Sequence, residues 1–192
     1  TLKYVAINLI GSSLMLISIG GLYSVTGTLN IADIGLRITE ASSYGIDTAA
    51  VPGLLMILFS VFALKSGLFP FHFWVPETYE SAPAPAAAMM AGISKKIGIY
   101  AVIRIFLGFF SGAALQIPGT GWSFSGLLGW SMILMASGAM ITGGLAAAGS
   151  QKLDTLLAYS SIGQVGFIYL LLGAGMLNPD ARAFTVTAAI VY

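Results

Sequence analysis

The stretch Val61-Phe62-Ala63-Leu64-Lys65-Ser66-Gly67-Leu68-Phe69-Pro70-Phe71-His72-Phe73-Trp74-Val75-Pro76 decides how this chain folds. An apolar run, Val51–Leu64, ends in Lys65, and apolar character resumes at once through Gly67, Leu68 and Phe69. Lys65 therefore sits inside hydrophobic sequence, not at its edge. Pro70 follows, with no N–H to donate and a ring that crowds the preceding turn, and it pushes Phe69 away from helical angles. The expectation is a discontinuous helix over Lys65–Pro70 with a cation beside the break. In a lipid-exposed setting such a cation is costly, so it calls for a partner or a water-filled cavity.

Composition supports the membrane setting. Of 192 residues, 57% are hydrophobic and 8% charged, against about 25% charged in soluble domains, and mean hydropathy is +0.93. The fold class predicted is all-α, a polytopic transmembrane helix bundle forming one domain over residues 1–192. A net charge of +1 gives no pull toward nucleic acid. The absence of cysteine excludes a disulfide framework and thiolate metal sites. No phosphate-cradling glycine loop and no metal-ligand spacing is present, so no metal or cofactor is expected. The chain opens in an apolar segment without an initiator Met and stops inside another, which reads as an internal fragment of a longer protein; no signal-peptide pattern precedes it.

Working outward, the predicted spans are about 4–26, 51–70, 86–110, 126–148 and 156–176, with a sixth beginning near 183. Each of the complete ones is long enough for ~30 Å of hydrocarbon. Asn8 is the strongly polar side chain of the first, read as an interhelical hydrogen bonder. The connector from Asn30 to Ala50 holds a short amphipathic helix beginning at Asn30-Ile31-Ala32-Asp33. Trp74 is a candidate interfacial anchor, and Glu77, Glu80, Pro83 and Pro85 read as a turn. Lys3 and Lys152 fall on one side of the membrane with Glu77, Glu80 and Asp154, and Arg37 and Arg182 on the other, which leaves orientation a near tie.

Within the spans the ionisable groups are Lys65, Lys95, Lys96 and Arg104, all cationic. Lysine is informative because desolvation moves it toward proton exchange, and lysines joined by hydroxyls and water can pass protons laterally. Lys65 and Lys96 are read as the relay. Lys95 lies ~100° around the helix from Lys96; it either supports the relay, snorkels, or faces a neighbouring subunit. His72, Ser66, Ser94, Tyr100, Tyr159, Ser160, Ser161 and Gln164 are further relay or water-anchoring candidates, and Arg104 is placed toward an interface. Each lysine also admits a purely structural role, pairing an acid to fix helix packing.

The string Lys65–Glu77 with Ala82-Pro83-Ala84-Pro85, then Gly92–Arg104 and Leu157–Gly166, resembles the antiporter-like membrane subunits. These occur in proton-pumping NADH–quinone oxidoreductase, Mrp-type cation/proton antiporters and membrane-bound hydrogenases. The resemblance covers essentially the whole chain. It implies that Lys65 is the lysine of the broken seventh helix, paired with a fifth-helix glutamate, and that Lys96 is the eighth-helix lysine, Lys95 falling on a usually uncharged position. The spans would be helices six to ten of about fourteen, straddling two inverted repeats. Leu2-Lys3-Tyr4, Asn8 and Thr26–Asp33 look most like D-type Mrp subunits. The implied activity is proton movement coupled to Na⁺ or K⁺, among other membrane subunits of a hetero-oligomeric assembly, in a prokaryotic cell (inner or plasma) membrane. A pump module of a respiratory complex, without a catalytic cofactor site of its own, and a non-transporting structural subunit are the alternatives. Lys152-Leu153-Asp154-Thr155 departs from the family's Asp-x-Lys-Arg order and leaves that charge pair without an inherited role.

Overall fold

A computed structural model describes residues 2–110, 115–117 and 119–192; Pro118, which falls in the expected central loop, lies outside them. It is all-helical, and the one β feature among the described residues is an isolated bridge between Gln116 and Ser123. The elements are α1 (Leu2–Thr26), α2 (Ile31–Thr39), α3 (Ala41–Tyr44), α4 (Val51–Ser66), α5 (Trp74–Ser81), α6 (Ala84–Met89), α7 (Lys95–Val102), α8 (Phe124–Ala148), α9 (Leu153–Leu177) and α10 (Arg182–Val191). π-helical turns at Met90–Ser94 and Ile103–Phe109 join α6 to α7 and extend α7, so Ala84–Phe109 is one continuous rod. Among the described residues, five helical runs are long and apolar enough to cross a membrane.

Many hydroxyl side chains within these runs are satisfied on their own helices. Ser13 donates to Leu9 C=O at 3.0 Å, Ser18 to Met15 C=O at 2.9 Å and Thr142 to Gly138 C=O at 2.7 Å. A hydroxyl at membrane depth has no water to turn to, and the preceding turn offers the nearest acceptor. The short helix expected in the connector is α2. Asn30 caps it by accepting from Ala32 N–H at 3.1 Å, Asp33 sits in its first turn and Arg37 in its last, matching the helix dipole.

The break follows the sequence logic. α4 ends at Gly67, which takes φ +69° and donates to Leu64 C=O, while Leu68 N–H reaches back to Ala63 C=O at 3.0 Å. This left-handed closure suits glycine, which has no Cβ to clash. Phe69–Pro70 is cis, Phe71–Phe73 make one 3₁₀ turn, and α5 then carries the chain to Ser81.

Two expectations around the break are corrected. Trp74 is not a lipid-facing anchor. It is 5% exposed, packs at a tilt against Tyr4 (centroids 5.4 Å apart), and its indole N–H donates to Leu64 C=O at 3.1 Å. The break frees the last carbonyls of α4, and an indole buried beside them meets its own need for an acceptor. Glu77 and Glu80 are not in a turn but on α5, where they pair with Lys3 (2.5 Å) and Lys152. These exposed pairs contribute little stability, but they put Lys3, Lys152, Glu77 and Glu80 at one end of the bundle, as the sequence suggested. Glu80 raises the Lys152 ammonium above its ordinary range by hydrogen bonding.

α8 and α9 form the most extensive helix–helix contact. Glycine makes it possible: a Cβ on Gly143 would lie 2.8 Å from Gly163 N, and one on Gly166 2.9 Å from Ala136 O. Small residues at such crossings let backbones approach where no hydrophobic force drives helices together in lipid. α7 meets α4 in the same way. A Cβ on Gly98 would sit 2.5 Å from Ser66 Oγ and 2.9 Å from Phe62 O, so the α7 backbone lies against the last turn before the break.

Candidate functional site

Three lysines surround the break, each in a different environment. Lys65, in the last turn of α4, is half-buried and donates to Asn8 Oδ1 at 2.6 Å. Asn8 in turn donates through Nδ2 to Tyr4 C=O at 2.9 Å, which fixes which of its atoms faces the ammonium. Lys65, Asn8, Tyr4, Trp74, Ser94 and Gly98 are among the residues lining a cavity of about 320 Å³ between α1, α4 and the α6–α7 rod. No carboxylate among the described residues pairs with Lys65. Asn8 therefore carries the interhelical role expected of it, with Lys65 as its partner.

Lys95 is the deeply buried cation, only 2% exposed. Its ammonium donates to Ser161 Oγ at 2.6 Å and lies 5.1 Å from the centre of the Tyr79 ring. Ser161 donates its own hydroxyl hydrogen bond to Ala158 C=O at 2.7 Å, so its lone pair faces Lys95. The stem of Lys95 runs against the break itself: a Cβ on Gly67 would stand 3.6 Å from Lys95 Cε. One hydroxyl and one ring face replace the hydration of an ammonium only partly, and such a cation inside a bundle marks a functional site by default.

Lys96 is exposed on the described surface and lines a separate cavity of about 440 Å³ with Tyr100, Gln164, Ile168 and Tyr192. Gln164 accepts a hydrogen bond there from Tyr192 OH. The two adjacent lysines thus point to different places: Lys95 faces inward among the described residues, and Lys96, which the resemblance assigns to the relay, faces the neighbouring cavity. Both stand in the regular helix α7, where successive residues are ~100° apart.

The remaining candidates divide. Ser66 is fully buried, donates to Phe62 C=O at 2.7 Å, and therefore accepts from Tyr169 OH at 2.9 Å. Ser94 shares the Lys65 cavity. His72 is half-buried and stacked on Phe69 (centroids 5.5 Å apart), and its buried Nδ1 has no hydrogen-bond partner among the described residues. Tyr159 and Ser160 lie on the half-buried and exposed flank of α9 and are not brought to any lysine, their neighbour Ser161 taking that place. Arg104 lies at the far end over the Phe109 ring, 5.9 Å from its centre. The sequence reading did not single out Tyr79 or Tyr169, though a tyrosine hydroxyl inside an apolar run, as in Phe167-Ile168-Tyr169-Leu170, is a visible signal that a buried polar partner is needed.

With that geometry in place, comparison with known families is decisive. Residues 1–191 match the family described as NADH:quinone oxidoreductase/Mrp antiporter, TM. The chain belongs to this family. It is 36% identical over 183 residues to the D-type subunit of the Na(+)/H(+) antiporter of Alkalihalophilus pseudofirmus, covering 95% of this chain and 34% of that protein. It is 34% identical over 174 residues to the N-type subunit of the NADH-quinone oxidoreductase of Desulforudis audaxviator, covering 91% of this chain and 32% of that protein. Among solved structures, a chain of the Mrp complex from a Dietzia species superposes with TM-score 0.71 at 29% identity, over 88% of this chain and 28% of that one. A chain of an archaeal membrane-bound sulfane sulfur reductase superposes at 0.75 and 29% identity, over 99% of this chain and 36% of that one. This chain spans about a third of the length of the curated relatives it matches. It is a multi-pass membrane protein of the antiporter-like type.

Proposed function

We propose that this chain forms the central part of a proton-translocating subunit in a multi-subunit Mrp-type cation/proton antiporter of a prokaryotic cell membrane, exchanging H⁺ for Na⁺ or K⁺. The observation that carries the reading is the placement of Lys65 and Lys95 on opposite flanks of one broken helix. Lys65 opens to the cavity on the α1 side, and Lys95 is enclosed on the α9 side. Among the described residues the Lys65 ammonium rests on Asn8 Oδ1 and the Lys95 ammonium on Ser161 Oγ, both neutral oxygens. Lys96, facing the next cavity with Gln164, extends the row laterally. The D-type relatives support the antiporter assembly.

The test is cation-driven proton exchange in membrane vesicles holding the full assembly. Lys65→Ala is expected to lower the exchange rate at least ~10-fold, about 1.4 kcal/mol in the barrier, with normal subunit assembly. Full exchange in that variant contradicts the proposal. The N-type relatives favour a second reading, a pump module of a respiratory oxidoreductase using the same lysines. Co-purified subunits carrying Fe–S or flavin groups, with proton uptake that needs a reductant rather than a cation gradient, select it.

A further inference from the structure

At the end of the bundle opposite the Lys3–Glu77 and Lys152–Glu80 pairs, Arg104 and Arg182 line one cavity of about 580 Å³. Arg104 comes from the π-helical turn that extends α7, and Arg182 is the first residue of α10. The chain runs away from the Lys3 end through Ala84–Phe109 and again through α9, so both arginines stand where these rods leave the apolar layer.

Neither guanidinium is neutralised by a carboxylate of the described residues, whose ion pairs are Lys3–Glu77, Arg37–Asp33 and Lys152–Glu80. Asp180 is the carboxylate nearest to Arg182 along the chain, and it pairs with neither arginine. Each arginine is nevertheless held. Arg104 rests on the Phe109 ring, and Arg182 donates through Nε to Gly175 C=O at 3.3 Å. Their other N–H groups remain for an acceptor. The rest of the lining is mainly apolar, with Ile103, Leu107 and Val186, and the exposed Thr187 hydroxyl donates to Ala183 C=O.

We propose that Arg104 and Arg182 together bind the phosphate of an anionic phospholipid, whose acyl chains run along Ile103, Leu107 and Val186. Guanidinium matches phosphate oxygens in pairs of hydrogen bonds, and basic pockets between membrane helices take acidic headgroups. The apolar flank distinguishes a lipid from free phosphate, which has nothing to place against it. The proposal does not rest on the transport reading, because no relay lysine lines this cavity.

The test uses the full-length protein in its purified assembly. Lipid retained after detergent washing is counted by mass spectrometry. Arg104→Gln with Arg182→Gln is expected to lower retained phosphatidylglycerol or cardiolipin at least ~10-fold in occupancy at the site and to leave phosphatidylethanolamine unchanged. The Arg104→Lys, Arg182→Lys pair, which keeps both charges and folds under the same steric demands, is expected to retain most of it. In parallel, the delipidated wild-type assembly is expected to gain thermal stability from phosphatidylglycerol but not from phosphatidylcholine or inorganic phosphate. Unchanged acidic-lipid retention in the Gln pair, as occurs if a carboxylate of a neighbouring protein segment fills the cavity, overturns the proposal. Equal protection by inorganic phosphate also overturns it.

Discussion

Replacing Lys95 by methionine is expected to reduce proton/cation exchange at least ~100-fold, about 2.7 kcal/mol in the barrier, while the assembly forms in normal yield. Methionine keeps the length of the stem and removes an ammonium that only Ser161 and the Tyr79 ring attend among the described residues. Exchanging a buried, incompletely partnered charge for an apolar side chain of similar volume is commonly neutral or stabilising. Lost transport with kept stability is therefore the signature of a working cation, and a structural lysine gives the reverse. Lys96→Met is expected to have the smaller effect, since Lys96 faces a side cavity and is not enclosed. Exchange assays on both variants, with assembly checked by native electrophoresis, decide the order. Full activity in the Lys95 variant with none in the Lys96 variant favours the relay of Lys65 and Lys96 expected from the sequence.

The largest structural effect is expected at the α8–α9 crossing. At Gly143 a Cβ would meet Gly163 N at 2.8 Å and Tyr159 O at 2.9 Å, both main-chain atoms that no rotamer change can move away. Gly143→Leu must separate the helices and is expected to destabilise the protein by about 3 kcal/mol, at the upper end of overpacking costs. A Cβ on the adjacent Gly144 would have nothing within 4 Å. Gly144→Leu is accordingly expected to change stability by less than ~0.5 kcal/mol. Thermal unfolding of both variants in detergent separates the two outcomes, and equal stability would remove the crossing as the organising contact of this half of the bundle.

Much of the fold was legible because membrane depth leaves few choices. Apolar length marked where the long helices begin: the run expected from 156 begins at Leu153, and the one expected from 126 begins at Phe124. Gly67 and Pro70 announced the break, and Asn30 announced α2. Trp74 was misplaced because tryptophan near a helix end has two satisfactory fates, a headgroup layer or a buried acceptor. Only the freed Leu64 carbonyl decides between them, and that is a tertiary fact. The inward position of Lys95 was not legible either: adjacent residues of a helix differ by ~100°, and only the tertiary contact with Ser161 shows which way each one faces. Tyr169, reaching Ser66 across more than a hundred residues of chain, left no local trace of its partner.

The indole of Trp74 carries one more implication. It is the first residue of α5, yet its N–H holds Leu64, the residue directly before Lys65. The two half-helices are thus coupled by a crossbar that bypasses the irregular backbone between them. Trp74→Phe, which removes the crossbar and keeps a ring, leaves the Leu64 carbonyl without the indole N–H, so the last turn before Lys65 and its hydrogen bond to Asn8 lose their tie to the half-helix that bears Glu77 and Glu80.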